Sequence, residues 1–147
     1  MPSRHTSRPE RWFVVDGPAD GRALAKLPRL TGLLLLNGRR ADARLRTMAR
    51  TRGLVVAEET RGEAVRVHDI AELRRAVLAR APMVLLSPIY PTGSHPDRPA
   101  IPKMRAAAMA RLARRRLFAL GGMDDKRFAR IRRMGFQAWA GISAFRT

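Results

Sequence analysis

Short apolar runs alternate along the chain with stretches whose apolar positions recur at helical spacing. Trp12–Val15 is apolar and is closed by Asp16-Gly17-Pro18, a strand running into a loop. A short helix is expected over 21–27, stopped by Pro28. Leu33–Leu36 is a second strand, closed by Asn37-Gly38, and Ala41–Thr51 has helical spacing ended by Gly53. Leu54–Ala57 reads as a third strand and runs into Glu58 and Glu59. Ala64–His68 is a fourth, and Asp69 caps a helix over 70–80 with Glu72 in its first turn. Met83–Leu86 is a fifth strand, followed by a loop rich in Pro and Gly and a helix from about Lys103 to Arg114. Leu117–Leu120, Gly121-Gly122, a helix capped by Asp124 or Asp125 through Met134, and a strand over 136–142 complete the pattern.

Strand and helix alternating in this way predict parallel βα units. The strands are apolar at nearly every position, as expected of strands covered on both faces. The fold class is therefore α/β, as a barrel or an open doubly wound sheet. With 147 residues the chain is short for an eight-stranded barrel, which needs about 200 or more. About seven strands are expected. Residues 1–10 read as a flexible basic lead-in and 11–147 as a single domain. In either architecture the chemistry belongs in loops after the C-terminal ends of the strands.

Composition narrows the chemistry. The chain has no Cys, which excludes disulfides, thiolate nucleophiles and Cys-based zinc sites, and its three His residues are not spaced for a shared helical metal site. No stretch has the length of an apolar membrane span, and the first residues lack the apolar core of a secretory signal, so a cytoplasmic protein is expected. The net charge is +18, from 27 Arg and 3 Lys against 12 acidic residues. Such a balance is the electrostatic mark of nucleic-acid binding. The rest of the pattern is missing, since there is no zinc-finger spacing, no basic region joined to heptads and no basic strand interleaved with aromatics. The arginines read as solvated helix faces, and small anions are the better partners for the positive field.

Four segments carry candidate chemistry. Gly121-Gly122 links a strand to a helix, where backbone N–H groups and the helix end favour an anion, and Ser143 follows the next strand. The alternative is a plain tight turn. The loop over 87–97 holds Thr92, Ser94 and His95 between stiffening prolines, suited to a diphosphate or to capping its own turns. His68 ends a strand and reads equally as a general acid or base and as a structural hydrogen-bonding group. Glu58 and Glu59 offer oxygen ligands for Mg²⁺ or open a solvated loop.

Together these segments resemble a known family. Ser87-Pro88-Ile89-Tyr90-Pro91-Thr92-Gly93-Ser94-His95 resembles the Gly-Pro-Ile/Val-Phe/Tyr-Pro-Thr-x-Ser/Thr-Lys loop of thiamine phosphate synthases and their TenI-like relatives. Ala119–Met123 is similar to that family's Ala-Ile/Leu-Gly-Gly-Ile/Met, the segment from Gly135 to Phe145 to its last strand, and Val65–Asp69 with Ala71-Glu72-Leu73 to its histidine strand. The resemblance implies a TIM barrel and the joining of an aminopyrimidine diphosphate to a thiazole phosphate, with Mg²⁺ and release of pyrophosphate. It implies a thiazole phosphate held at Gly121, Gly122, Ile142 and Ser143, a diphosphate held at Thr92, Ser94 and His95, and His68 as the acid–base group.

This sequence departs from the pattern at definite places. His95 stands where the family has a loop lysine, and Arg66 where it has a serine two residues before the histidine. The family's Gln-x-Arg-x-Lys falls on Leu33, Leu35 and Asn37, and its Asn-Asp-Asp on Ala57, Glu58 and Glu59. The strand that would carry the metal-binding Asp has no room between Glu59 and Ala64. Three functions follow as expectations: a synthase, a TenI-like thiazole tautomerase that needs only the phosphate site and an acid–base group, and a non-catalytic binder of the phosphate ligand. Self-association of the chain is a further expected partnership.

Overall fold

A computed structural model describes residues 8–15, 21–93, 96–114 and 116–142. Among them are seven strands: β1 (Arg11–Val15), β2 (Gly32–Leu35), β3 (Val55–Glu58), β4 (Ala64–Val67), β5 (Met83–Leu86), β6 (Leu117–Leu120) and β7 (Ala138–Gly141). Five α-helices lie between them: α1 (Gly21–Ala25), α2 (Ala43–Arg52), α3 (Ile70–Leu78), α4 (Lys103–Ala113) and α5 (Asp125–Ile131). Local signals explain their limits. Asp69 and Asp124 each accept the N–H three residues on, at 2.8 Å, and so cap α3 and α5. Gly53 ends α2 at φ 70°, where a side chain would strain the left-handed turn.

All strand pairs are parallel, in the order β3-β2-β1-β7-β6-β5-β4. This is the cyclic order of a barrel, opened between β3 and β4. The first and last strands are paired, so the break lies inside the chain. Only a 3-10 turn (Glu59–Arg61), Gly62, at φ 71°, and Glu63 cross it. The short connection from Glu59 to Ala64 is thus the place where a βα unit is missing, and the fold is a curled, shortened TIM-barrel-like sheet.

Alternation along each strand divides the apolar residues into inner and outer sets. Trp12, Val14, Leu34, Leu36, Ala57, Ala64, Met83, Leu85, Phe118, Ala138 and Ala140 form one cluster on the concave face. Outside, Phe13, Leu33 and Leu35 pack against Leu24 and Ala49 of α1 and α2. Val67, Leu86, Leu117 and Trp139 pack against Leu73, Met109 and Phe128 of α3, α4 and α5. Trp12 fills the inner base, its ring 6.0 Å from that of Phe118. It fits because its partner in β2 is Gly32, where a Cβ would lie 2.1 Å from the indole.

Candidate functional site

The C-terminal ends of the strands surround a cavity of about 710 Å³, within the range of small-molecule sites. Its floor is apolar, with Val14, Leu36, Ala64 and Leu120, and its polar wall holds Asn37, Glu59, Arg66, His68, Ser87, Thr92 and Arg98. Gly121, Gly122, Gly141 and Ile142 form the opposite rim. Every polar group therefore sits above the packed interior, on a strand end or the loop that follows it.

Ala64, Arg66 and His68 share one face of β4 and its extension by alternation. His68 is exposed at the cavity mouth. Its Nδ1 lies 2.9 Å from the Ser87 carbonyl oxygen, with Ser87 Oγ at 3.3 Å. A carbonyl can only accept, so the network assigns the proton to Nδ1 and leaves Nε2 as the acceptor. Arg98 Nη1 stands 3.0 Å from that Nε2.

The glycine turn is locked to the loop after β5. Ile89 and Tyr90 donate backbone N–H groups to the carbonyls of Leu120 and Gly121, at 3.0 and 3.2 Å, and Arg127 Nη1 donates to the carbonyl of Gly122. With these three carbonyls accepting from protein donors, the turn's backbone N–H groups are what it can offer an anion. Glycine is required at both positions. The φ angles are 101° and 61°, and a Cβ would come within 2.9 Å of Pro88 Cα at Gly121 or 2.8 Å of the Pro91 carbonyl at Gly122. The helix end expected to assist is taken by Asp124, whose carboxylate accepts the N–H of Arg127.

Glu58 and Glu59 do not form a shared metal site. Adjacent residues leave a strand on opposite sides. Glu58 is buried on the outer side, where Oε1 accepts from the Ala41 N–H at 2.7 Å and from Arg46 Nη2 at 2.8 Å. Glu59 faces the cavity but takes both Nε and Nη2 of Arg66, at 2.7 and 3.0 Å, and the N–H of Asn37 at 3.2 Å. Each carboxylate is neutralised by its own arginine. Among the described residues no three His, Asp or Glu side chains converge as a metal cluster. The described residues do not fit the Mg²⁺ that the resemblance implies.

The cavity brings together Glu59, His68, Thr92, Gly121, Gly122 and Ile142 of the sequence candidates, and leaves Glu58 outside. Ser94, His95 and Ser143 lie outside the described residues. Leu33 and Leu35 point outward into the helices, so the inner positions of β2 are Gly32 and Leu34, with Leu36 beyond its end, and none is charged. Arg98 was missed because no local pattern ties it to His68, thirty residues away. Arg66 had a usable signal, since it stands two residues before His68 on the same strand face. The two arginines against one carboxylate give this wall a positive balance suited to an anionic ligand.

Among the described residues no helix is long and apolar enough to cross a membrane. A search of curated proteins finds no match. The family model described as thiamine monophosphate synthase matches residues 64–145, more than half of the chain. That span starts at β4 and takes in His68, the loop after β5, the glycine turn and the end of β7, the same segments that wall the cavity. With the motif order and most of the cavity wall falling within the matched span, the chain belongs to the thiamine monophosphate synthase and TenI family.

Proposed function

We propose that the cavity binds a phosphorylated thiazole and that His68 moves a proton on its ring, as in a TenI-like tautomerase. The observation that carries this reading is the tautomer of His68, a residue that lines the cavity, with Nδ1–H tied to the Ser87 carbonyl and Nε2 left as the acceptor. Such a group removes a proton at one ring position and returns it at another, so a single side chain serves as base and then acid, and no atom is gained or lost. The phosphate goes to the Gly121–Gly122 turn and the end of β7 at Ile142, where the resemblance also adds Ser143. The apolar floor supports the ring. No carboxylate cluster is needed, which agrees with Glu58 and Glu59 being held by Arg46 and Arg66.

A second reading, joining of an aminopyrimidine diphosphate to the thiazole phosphate, draws support from the cationic wall. Arg66, Arg98 and Thr92 offer donors to a diphosphate. The test is to incubate the protein with thiazole phosphate tautomers, and separately with both synthase substrates. Tautomer interconversion that is lost in His68→Gln supports the first reading. Thiamine phosphate formation supports the second. Thermal stabilisation by thiazole phosphate with neither product leaves the chain a binder of that ligand and overturns both.

A further inference from the structure

The end of the sheet opposite the cavity carries a pattern that the proposed chemistry does not use. In parallel βα units each helix hands the chain back to the N-terminal end of the next strand, so the returns gather at one end. Here they are 26–31, 53–54, 79–82, 114–116 and 132–137. Bonds between them and the lead-in to β1 join them into one surface. Arg8, ahead of β1, donates from Nη1 to the Pro82 carbonyl ahead of β5, at 3.4 Å. The Leu30 N–H, ahead of β2, donates to the Gly53 carbonyl ahead of β3, at 2.9 Å.

Three observations set this base apart. The five returns hold eight Arg or Lys and no Asp or Glu. Among their described residues Arg132 alone is in an ion pair, with Glu10. A helix C-terminus presents only about half a negative charge, so the macrodipoles account for few of these cations. The second observation is in the backbone. Leu30, Arg80 and Arg114 have φ of 65°, 55° and 46°, the left-handed region that Gly53 and Gly135 supply at other returns. A side chain there costs stability that glycine would recover, which points to a use for the side chain. The third is apolar. Leu30 is 60% exposed, Leu78, the last residue of α3, 83%, and Leu112, next to the end of α4, 45%. Nucleic acid would neutralise the arginines and leave the leucines in water. A lipid surface takes both, through headgroup phosphates and the edge of the acyl layer.

We propose that this base docks on an anionic lipid bilayer, with its arginines at the headgroup phosphates and Leu30 and Leu78 entering the acyl boundary. The cavity, at the other end of the strands, then faces away from the bilayer into solution. The docking is independent of the proton-shuttle reading of His68, and its test involves no turnover.

The full chain is sedimented at physiological ionic strength with vesicles of phosphatidylcholine, or of phosphatidylcholine and phosphatidylglycerol in equal parts. Binding to the mixed vesicles and not to phosphatidylcholine alone is expected. Leu30→Gly combined with Leu78→Ser, and Arg80→Gly combined with Arg114→Gly, should each weaken that binding by about tenfold or more. Both pairs should keep the melting temperature or raise it, because three of the four changes place glycine in a left-handed position. A wild-type protein that stays in solution with the mixed vesicles overturns the proposal. Binding that the leucine pair leaves unchanged overturns it too, since charge alone would then account for the contact. Tighter binding to a short DNA duplex than to the mixed vesicles, indifferent to the leucine pair, overturns it in favour of nucleic acid.

Discussion

Glu59 and Arg66 face each other across the opening in the sheet, joined by two hydrogen bonds of 2.7 and 3.0 Å. Glu59 follows the last residue of β3 and Arg66 lies in β4, so the pair ties the two edge strands where a whole βα unit is missing. The backbone adds one bond beside it, from the Glu63 N–H to the Glu58 carbonyl at 3.3 Å. The pair is half-shielded, which limits solvent screening and makes its geometry count. In a double-mutant cycle of Glu59→Gln and Arg66→Gln, urea unfolding should give a coupling energy of about 1 kcal/mol. A coupling indistinguishable from zero would show that the edges hold without it.

The inner base of the sheet depends on one glycine. A Cβ at Gly32 would fall 2.1 to 2.6 Å from three atoms of the Trp12 indole, itself buried and hydrogen-bonded from Nε1 to the Pro9 carbonyl at 2.9 Å. Gly32→Ala should cost about 2 to 4 kcal/mol by urea unfolding. Placing Gly32→Ala on a Trp12→Leu background should cost much less, because the clashing ring is gone. Equal costs on both backgrounds would mean that the indole is not the obstacle.

The glycine turn should respond as one unit. Gly121→Ala forces a side chain into φ 101° and against Pro88, at a cost of about 1 to 3 kcal/mol. It should also abolish any rise in melting temperature produced by millimolar inorganic phosphate. Retained phosphate stabilisation in a folded Gly121→Ala protein would place the anion elsewhere.

His68 is exposed, so His68→Gln should change unfolding free energy by less than about 0.5 kcal/mol. Loss of the proton shuttle should slow tautomerisation by about 10²- to 10⁴-fold. Treatment with EDTA should leave that activity unchanged, since Glu58 and Glu59 are committed to Arg46 and Arg66. An activity restored only by added Mg²⁺ would contradict both the proton-shuttle reading and the separation of these carboxylates.

Much of the fold was legible because its signals are local. Asp69 and Asp124 cap helices through bonds spanning three residues, and the apolar runs of β1 to β7 announce burial on both faces. The opening was legible as well, since the residues between Glu59 and Ala64 are too few for a strand and helix. The last strand is shorter than expected, Ala138–Gly141 in place of 136–142. Its approach carries Gly135 at φ 111° and an exposed Gln137. Facing was harder to read than existence. Leu33 and Leu35 turn outward, and Glu58 and Glu59 part company, because an apolar run covered on both sides has no polar residue to mark its inner face. The contact between Arg98 and His68 was beyond reach, being set by the path of a loop rather than by any period.

The turn at Gly62 has a use in protein engineering. A side chain there would meet nothing within 4 Å, and the two strands it separates are the free edges of an otherwise complete cyclic order. It is therefore a graft point. A designed strand and helix inserted between Arg61 and Glu63 would enter beside two partners whose hydrogen-bonding groups stand in the parallel sense it needs. The natural chain thus supplies seven-eighths of a template, and the missing piece can be used to write a new wall, with ligands of the designer's choosing, into an existing pocket.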